Sequence, residues 1–140
     1  MKQIIFIAII VTGLIACGSK DKEKKFDNHT YEEQKTSLLD KEKNHPLQFL
    51  KIEGDDRRNI WGQTVYKGTI TNKATLCSYR DVRVKLLYFK AGVQVANHEE
   101  LFDNSISPND DYSFKAKYKT PRGTDSVAVY IMSAKAADQK

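Results

Sequence analysis

Cysteine is nearly absent from this chain: its 140 residues hold two, Cys17 and Cys77. Two thiols cannot make the disulfide framework of a small secreted scaffold, which needs several pairs. Histidine is as sparse, and His29, His45 and His98 stand apart from one another, so no close set of ligands suggests a metal. The longest apolar run, Ile4 to Val11, has eight residues. A spanning helix takes about 20. Charge of one sign is also scarce. From Pro46 to Lys140 there are 15 Lys or Arg against 11 Asp or Glu, short of the concentrated footprint of a nucleic-acid binder. No nucleophile, base and acid fall together in a catalytic pattern. The expectation is therefore a non-enzyme without cofactor, metal or nucleic-acid partner.

The strongest positive signal is at the start. Lys2, the apolar run and the small residues that follow have the order of a secretory signal peptide. Leu14-Ile15-Ala16-Cys17 places a cysteine directly behind the cut and resembles the lipobox of bacterial lipoproteins. That resemblance implies diacylglycerol on the Cys17 thiol, cleavage before it, and often acylation of the freed amine. One acyl chain of myristoyl size holds only marginally, whereas two or three anchor firmly. The mature protein is then expected to be attached to a membrane without crossing it. An uncleaved anchor helix is the competing reading, and the run is short for it. In the family's sorting rule Asp after the cysteine retains the protein at the inner membrane. Gly18 stands there, which implies the outer membrane, at its periplasmic face or the cell surface.

Composition divides the chain into residues 1–16 as leader, 17–45 as lipidated Cys, charged tether and short helix, and 46–140 as the folded domain. Gly18 to His45 has seven basic and seven acidic side chains and few apolar ones, too little to offset the entropy of ordering over its first part. The charged run behind Cys17 loosely resembles that of Bacteroidota lipoproteins, where such a segment can direct surface export, usually when acid dominates. Here Lys dominates. Thr30-Tyr31-Glu32-Glu33 fits a capping box and predicts a helix from Tyr31 to about Lys41, one to three turns long, ended before Pro46. Its apolar positions Tyr31, Leu38 and Leu39 suffice only for a loose contact.

Beyond Pro46 the apolar period becomes two. Strands are predicted over Leu47–Glu53, Ile60–Asn72, Arg80–Lys90, Val93–Ala96, Glu100–Ile106, Tyr112–Tyr118 and Ser126–Met132. About seven strands with turn signals between them predict an all-β antiparallel sandwich. A small closed barrel is the alternative. The expected core is Val82, Val84, Leu86, Phe114, Val127 and Val129, with Val65 or Ile70 according to whether a bulge falls near Gly68.

Three segments carry a second resemblance. Gly68-Thr69-Ile70-Thr71-Asn72, then Val82 to Phe89, then Ile106-Ser107-Pro108 followed by Phe114 are similar to the FxLYD-type immunoglobulin-like domain. The similarity spans roughly Ile60 to Ala134 and implies an immunoglobulin-like β-sandwich. Small Bacteroidota lipoproteins share this layout of lipobox, tether and sandwich. Asn109 replaces the usual turn Gly, and Lys90-Ala91 precedes Gly92 where an acid is usual. These motifs record strand and turn needs, and carry almost nothing about a ligand.

Lys115, Lys117 and Lys119 alternate outward on one strand, and Arg83 and Lys85 on another. If those strands are neighbours, they make a cationic sheet face suited to an envelope protein, an anionic glycan or a lipid headgroup. A solvated face that uses Lys against edge pairing is the bland reading. Leu87 and Phe89 share the parity of Arg83 and Lys85: either a bulge turns them inward or they form an exposed apolar patch of the kind that marks an interface, and a bulge or cover from the helix is the expectation. Trp61 is expected to plug one end of the sandwich rather than grip sugar, and Cys77 to be a small buried residue rather than an intermolecular disulfide partner or a reactive thiol. The acidic pairs Asp55-Asp56, Glu99-Glu100 and Asp110-Asp111 read as solvated turns more than as calcium ligands. Asp125-Ser126-Val127 resembles a short O-glycosylation acceptor, and Asn28-His29-Thr30 the N-glycosylation pattern. The function these signals favour is a lipid-anchored binding or assembly module. A purely structural envelope lipoprotein and, behind it, a small envelope enzyme are the rivals.

Overall fold

Alternate burial along Gln63–Asn72 shows how the chain divides inside from outside. Thr64, Tyr66, Gly68, Ile70 and Asn72 are buried on one side, while Lys67 is exposed on the other. A computed structural model describes residues 28–137, in the order α1 (Asn28–Asn44), α2 (Pro46–Phe49), β1 (Leu50–Arg58), β2 (Gln63–Asn72), β3 (Tyr79–Lys90), β4 (Val93–Phe102), β5 (Asp111–Lys119) and β6 (Ser126–Ala136). The leader, Cys17 and the charged tether up to Asp27 lie outside the described residues. Two three-stranded antiparallel sheets, β1-β2-β5 and β4-β3-β6, pack face to face in a mostly β, sandwich-like body.

The described residues hold six strands where seven are predicted. Asn97, His98 and Glu99 stay in register with Leu87, Leu86 and Lys85 of β3, so the two short strands expected there are one continuous β4. Asp55 to Arg58 also pair, opposite Lys67 to Thr64, and the turn moves to Asn59–Gly62. The predicted first strand begins as the short helix α2, with Pro46 in its first turn, where a missing N–H does no harm. Helix α1 runs longer than expected at both ends.

Ile70, Val82, Val84 and Leu86 are fully buried, as the period predicts, and Phe114, Val127 and Val129 pack against them. No bulge interrupts β2, so Val65 points outward. It is nevertheless only 7 % exposed, lying in register between Arg57 and Lys117. Gly54 and Gly68 are direct cross-strand partners facing inward, where the rings of Tyr66 and Phe114 fill the space that side chains would take.

Asn72 closes the Gly-x-Ile-x-Asn segment and explains it. Its buried amide donates toward the carbonyls of Cys77, Ile106 and Ser107 at 2.9, 3.1 and 3.0 Å, and its oxygen accepts from the Ala74 N–H at 2.9 Å. One side chain thus pins two crossings between the sheets, 73–78 and 103–110. Asn109 takes φ +57° in the second crossing, a region Asn tolerates in place of Gly.

The connections segregate by end. At one pole lie the β1–β2 turn, the β3–β4 turn at Ala91-Gly92, and the β5–β6 crossing at 120–125. Arg58 donates to the Thr124 carbonyl at 2.7 Å, and the Asp125 N–H to the Phe89 carbonyl at 2.9 Å, which binds these connections together. The opposite pole carries α2 and the two crossings held by Asn72. There α1 docks by its last turns, with Leu39 against the core and Glu42 buried.

Candidate binding surfaces

Strand pairing decides which charges can act together. On the outer face of β1-β2-β5 the rows read Arg57–Val65–Lys117, Asp55–Lys67–Lys115 and Glu53–Thr69–Ser113, with Lys119 opposite Gln63. Lys67 and Lys115 are direct cross-strand neighbours, an arrangement that like charges disfavour. Asp55 flanks Lys67 on its other side. The depression on this face is open to solvent and bordered by Glu53, Asp55, Lys67, Thr69, Ser113 and Lys115.

Arg83 and Lys85 do not join this set. They lie on β3, in the other sheet, so their side chains leave the opposite side of the body from Lys115, Lys117 and Lys119. Alternation settles the direction of a side chain within its sheet but not which sheet the strand joins, and the single five-residue cationic face is corrected accordingly. Lys85 also meets the Glu99 carboxylate at 2.9 Å, an ion pair that raises the lysine pKa and lowers that of Glu99. The cations that replace Arg83 and Lys85 beside the three lysines are Lys67 and Arg57. Their proximity follows from register, which composition does not carry.

The outer face of β4-β3-β6 is apolar in its middle. Leu87 and Phe89 remain on it, half-buried, although a bulge does fall between Tyr88 and Phe89. That bulge shifts pairing with β4 without turning either side chain into the core. Val93, Val95, Leu101 and Tyr130 are exposed around them.

Trp61 plugs nothing. It is 80 % exposed, and its neighbour Ile60 91 %, at the tip of the β1–β2 turn. Asn59 builds that tip: its side-chain oxygen accepts from the Trp61 and Gln63 N–H groups at 3.0 and 2.9 Å, and its amide donates to the Gln63 side chain at 3.0 Å. The Gly62 N–H reaches the Asn59 carbonyl at 3.1 Å, with Gly62 at φ +70° where a side chain would be strained. The sequence signal was the Asn-x-x-Gly spacing, which puts the two residues between at the apex of a tight turn.

The remaining candidates separate. Asp55 points outward and Asp56 inward, as successive strand residues must. His98 Nε2 lies 3.6 Å from Glu100, and no three His, Cys, Asp or Glu side chains converge among the described residues. Cys77 is buried, and burial followed by the nearby Glu42 charge raises its thiol pKa, away from reactivity. Asp125 accepts the Ala91 N–H, which lowers its pKa, and also bonds Ser126. No helix among the described residues is long and apolar enough to cross a membrane. Comparison with family models, with curated proteins and with solved structures returns no match to this chain.

Proposed function

We propose that the chain is a bacterial lipoprotein, held by acyl chains on Cys17, whose β body is a non-catalytic binding or assembly module at the cell envelope, with the outer membrane favoured. The lipobox supports the anchor. The Asn72 pinning of the crossings and the positive φ of Asn109 fit the FxLYD-like, immunoglobulin-like reading of the fold. Confinement to a surface raises effective concentration, so a modest patch suffices for binding.

The observation that carries the binding reading is the accumulation of Lys67, Lys115, Lys117, Lys119 and Arg57 on one sheet face, with Lys67 directly opposite Lys115. Such repulsion is repaid when an anionic partner occupies the face. Two measurements test the proposal. Globomycin treatment, or Cys17→Ala, leaves the protein at precursor mass; normal maturation refutes the anchor. Replacing Lys115, Lys117 and Lys119 together by Gln weakens retention on an immobilised acidic polysaccharide or on anionic vesicles and flattens its salt dependence. Unchanged retention on both removes this face as the site.

A further inference from the structure

We infer that the pole opposite α1 is a lipid-contacting surface, with Ile60 and Trp61 entering the interface of an anionic bilayer and the surrounding cations meeting its phosphates. This goes beyond the binding-module reading by adding a second surface, which shares only Arg57 and Lys119 with the cationic sheet face, and it does not require lipid on Cys17.

Two large apolar side chains stand side by side at an apex, almost wholly in water. Exposure of that kind at a connection that Asn59 locks so completely is not the by-product of a floppy loop. The backbone N–H groups of Asn59, Trp61, Gly62 and Gln63 are all hydrogen-bonded within the turn. A segment entering the headgroup region loses water from its backbone, and here those donors keep their partners. The apex is already in its binding shape, so little ordering entropy opposes insertion.

Cations ring the apex. Arg57 and Arg58 precede it, Lys119 pairs with Gln63 beside it, and Lys90 and Arg122 belong to the other two connections at this pole. Lys90 lies next to Gly123, which draws the β3–β4 and β5–β6 connections together. Asp56 and Asp125 are the acids at this end, and Asp125 is engaged with Ala91 and Ser126. Charge and apolar bulk therefore coincide, the pairing that interfacial anchors use.

Shape selects lipid over protein. The apex is a convex knob, and a Trp with an Ile covers far less than the roughly 800 Å² per partner of a standard protein interface. A bilayer needs no matching pocket, and Trp prefers the headgroup level of a membrane. An acidic protein partner would have to supply a fitted cavity for both side chains.

Trp61 is the single tryptophan of the chain and so reports its own insertion. The full-length protein, purified from cells and reconstituted in vesicles, is read in two arms. Phosphatidylglycerol with brominated acyl chains is placed either in the anchoring vesicle or in a second, added population. Insertion in either arm quenches Trp61, shifts its emission to the blue and shields it from aqueous iodide. Lys119→Gln and Arg122→Gln each weaken the effect roughly fivefold, the share of one cation near an anionic surface. Ile60→Ser weakens quenching with an unchanged urea midpoint, because the side chain touches little of the body. Trp61 emission that stays unquenched and open to iodide in both arms overturns the proposal, and so does quenching by an acidic protein alone. A bare Cys17 with Trp61 quenched by added vesicles refutes the anchor and leaves this surface standing. An acylated Cys17 with Trp61 unquenched does the reverse.

Discussion

The carboxylate of Glu42, on the last turn of α1, accepts the backbone N–H of Cys77 at 2.8 Å across 35 residues of sequence. The same carboxylate takes the N–H groups of Leu76 and Thr75 at 2.9 and 2.8 Å and the Thr75 hydroxyl at 3.0 Å. The Tyr79 hydroxyl donates to the Glu42 carbonyl at 2.8 Å. An otherwise exposed helix is thus held to the body by one buried anion in a cradle of amides.

Glu42→Ala is expected to destabilise the protein by about 3 kcal/mol, because the amides of Thr75, Leu76 and the buried Cys77 lose a charged acceptor. Urea unfolding measures the loss, and amide exchange at Thr75, Leu76 and Cys77 localises it. A change below about 0.5 kcal/mol, the range of ordinary surface substitutions, contradicts the latch.

Stability should fall in acid through the same group. Burial by itself raises the Glu42 pKa, but the amides of Thr75, Leu76 and Cys77 and the Thr75 hydroxyl outweigh it and hold the group below its ordinary value of 4.5. A depressed folded pKa means stability is fully present above the unfolded value and is lost as pH falls through the folded one. Glu99 and Asp125 shift the same way but are exposed and screened. Unfolding midpoints measured from pH 7 downward should therefore hold to about pH 5, then drop. Glu42→Gln, already destabilised, should show a shallower drop.

Asn72→Ala removes the acceptor of the Ala74 N–H and the donor to the Cys77 carbonyl, while the Ile106 and Ser107 carbonyls keep the N–H groups of Tyr79 and Asp110. The expected loss is about 3 kcal/mol, from several hydrogen bonds lost at once. Asn72→Asp should be no better, since a carboxylate cannot donate to the three carbonyls.

Gly54→Ala sets a Cβ 2.3 Å from the Lys67 carbonyl and 2.7 Å from the Gly68 Cα, both backbone atoms. Strands β1 and β2 would have to separate, at a cost of about 2–3 kcal/mol for overpacking. Circular dichroism and a urea midpoint unchanged from wild type would contradict the close approach.

The Tyr88 hydroxyl is buried without a hydrogen-bond partner among the described residues, and the neighbouring Thr64 hydroxyl is shared with Thr120 at 2.6 Å. Tyr88→Phe should therefore be neutral or stabilising by up to about 1 kcal/mol, where a bonded tyrosine would lose about as much. The urea midpoint decides the sign.

Much of this was legible in the order of residues. Alternation along Val82, Val84 and Leu86 fixed their burial, because a strand side chain must face one way or the other. Asn109 accepted a turn that Gly usually takes. Other features depend on residues far apart. Whether Lys115 sits beside Lys85 or Lys67 is a matter of which edges pair, and no local pattern encodes it. Glu42 looks like any solvated helix acid until the 75–77 amides arrive 33 to 35 residues later. Trp61 is apolar enough for a core, and only the Asn59 turn, closing at an unpacked pole, leaves it in water. Period and turn chemistry act over a few residues and are written in sequence, whereas register and sheet assignment are long-range choices made by the packing of the whole chain.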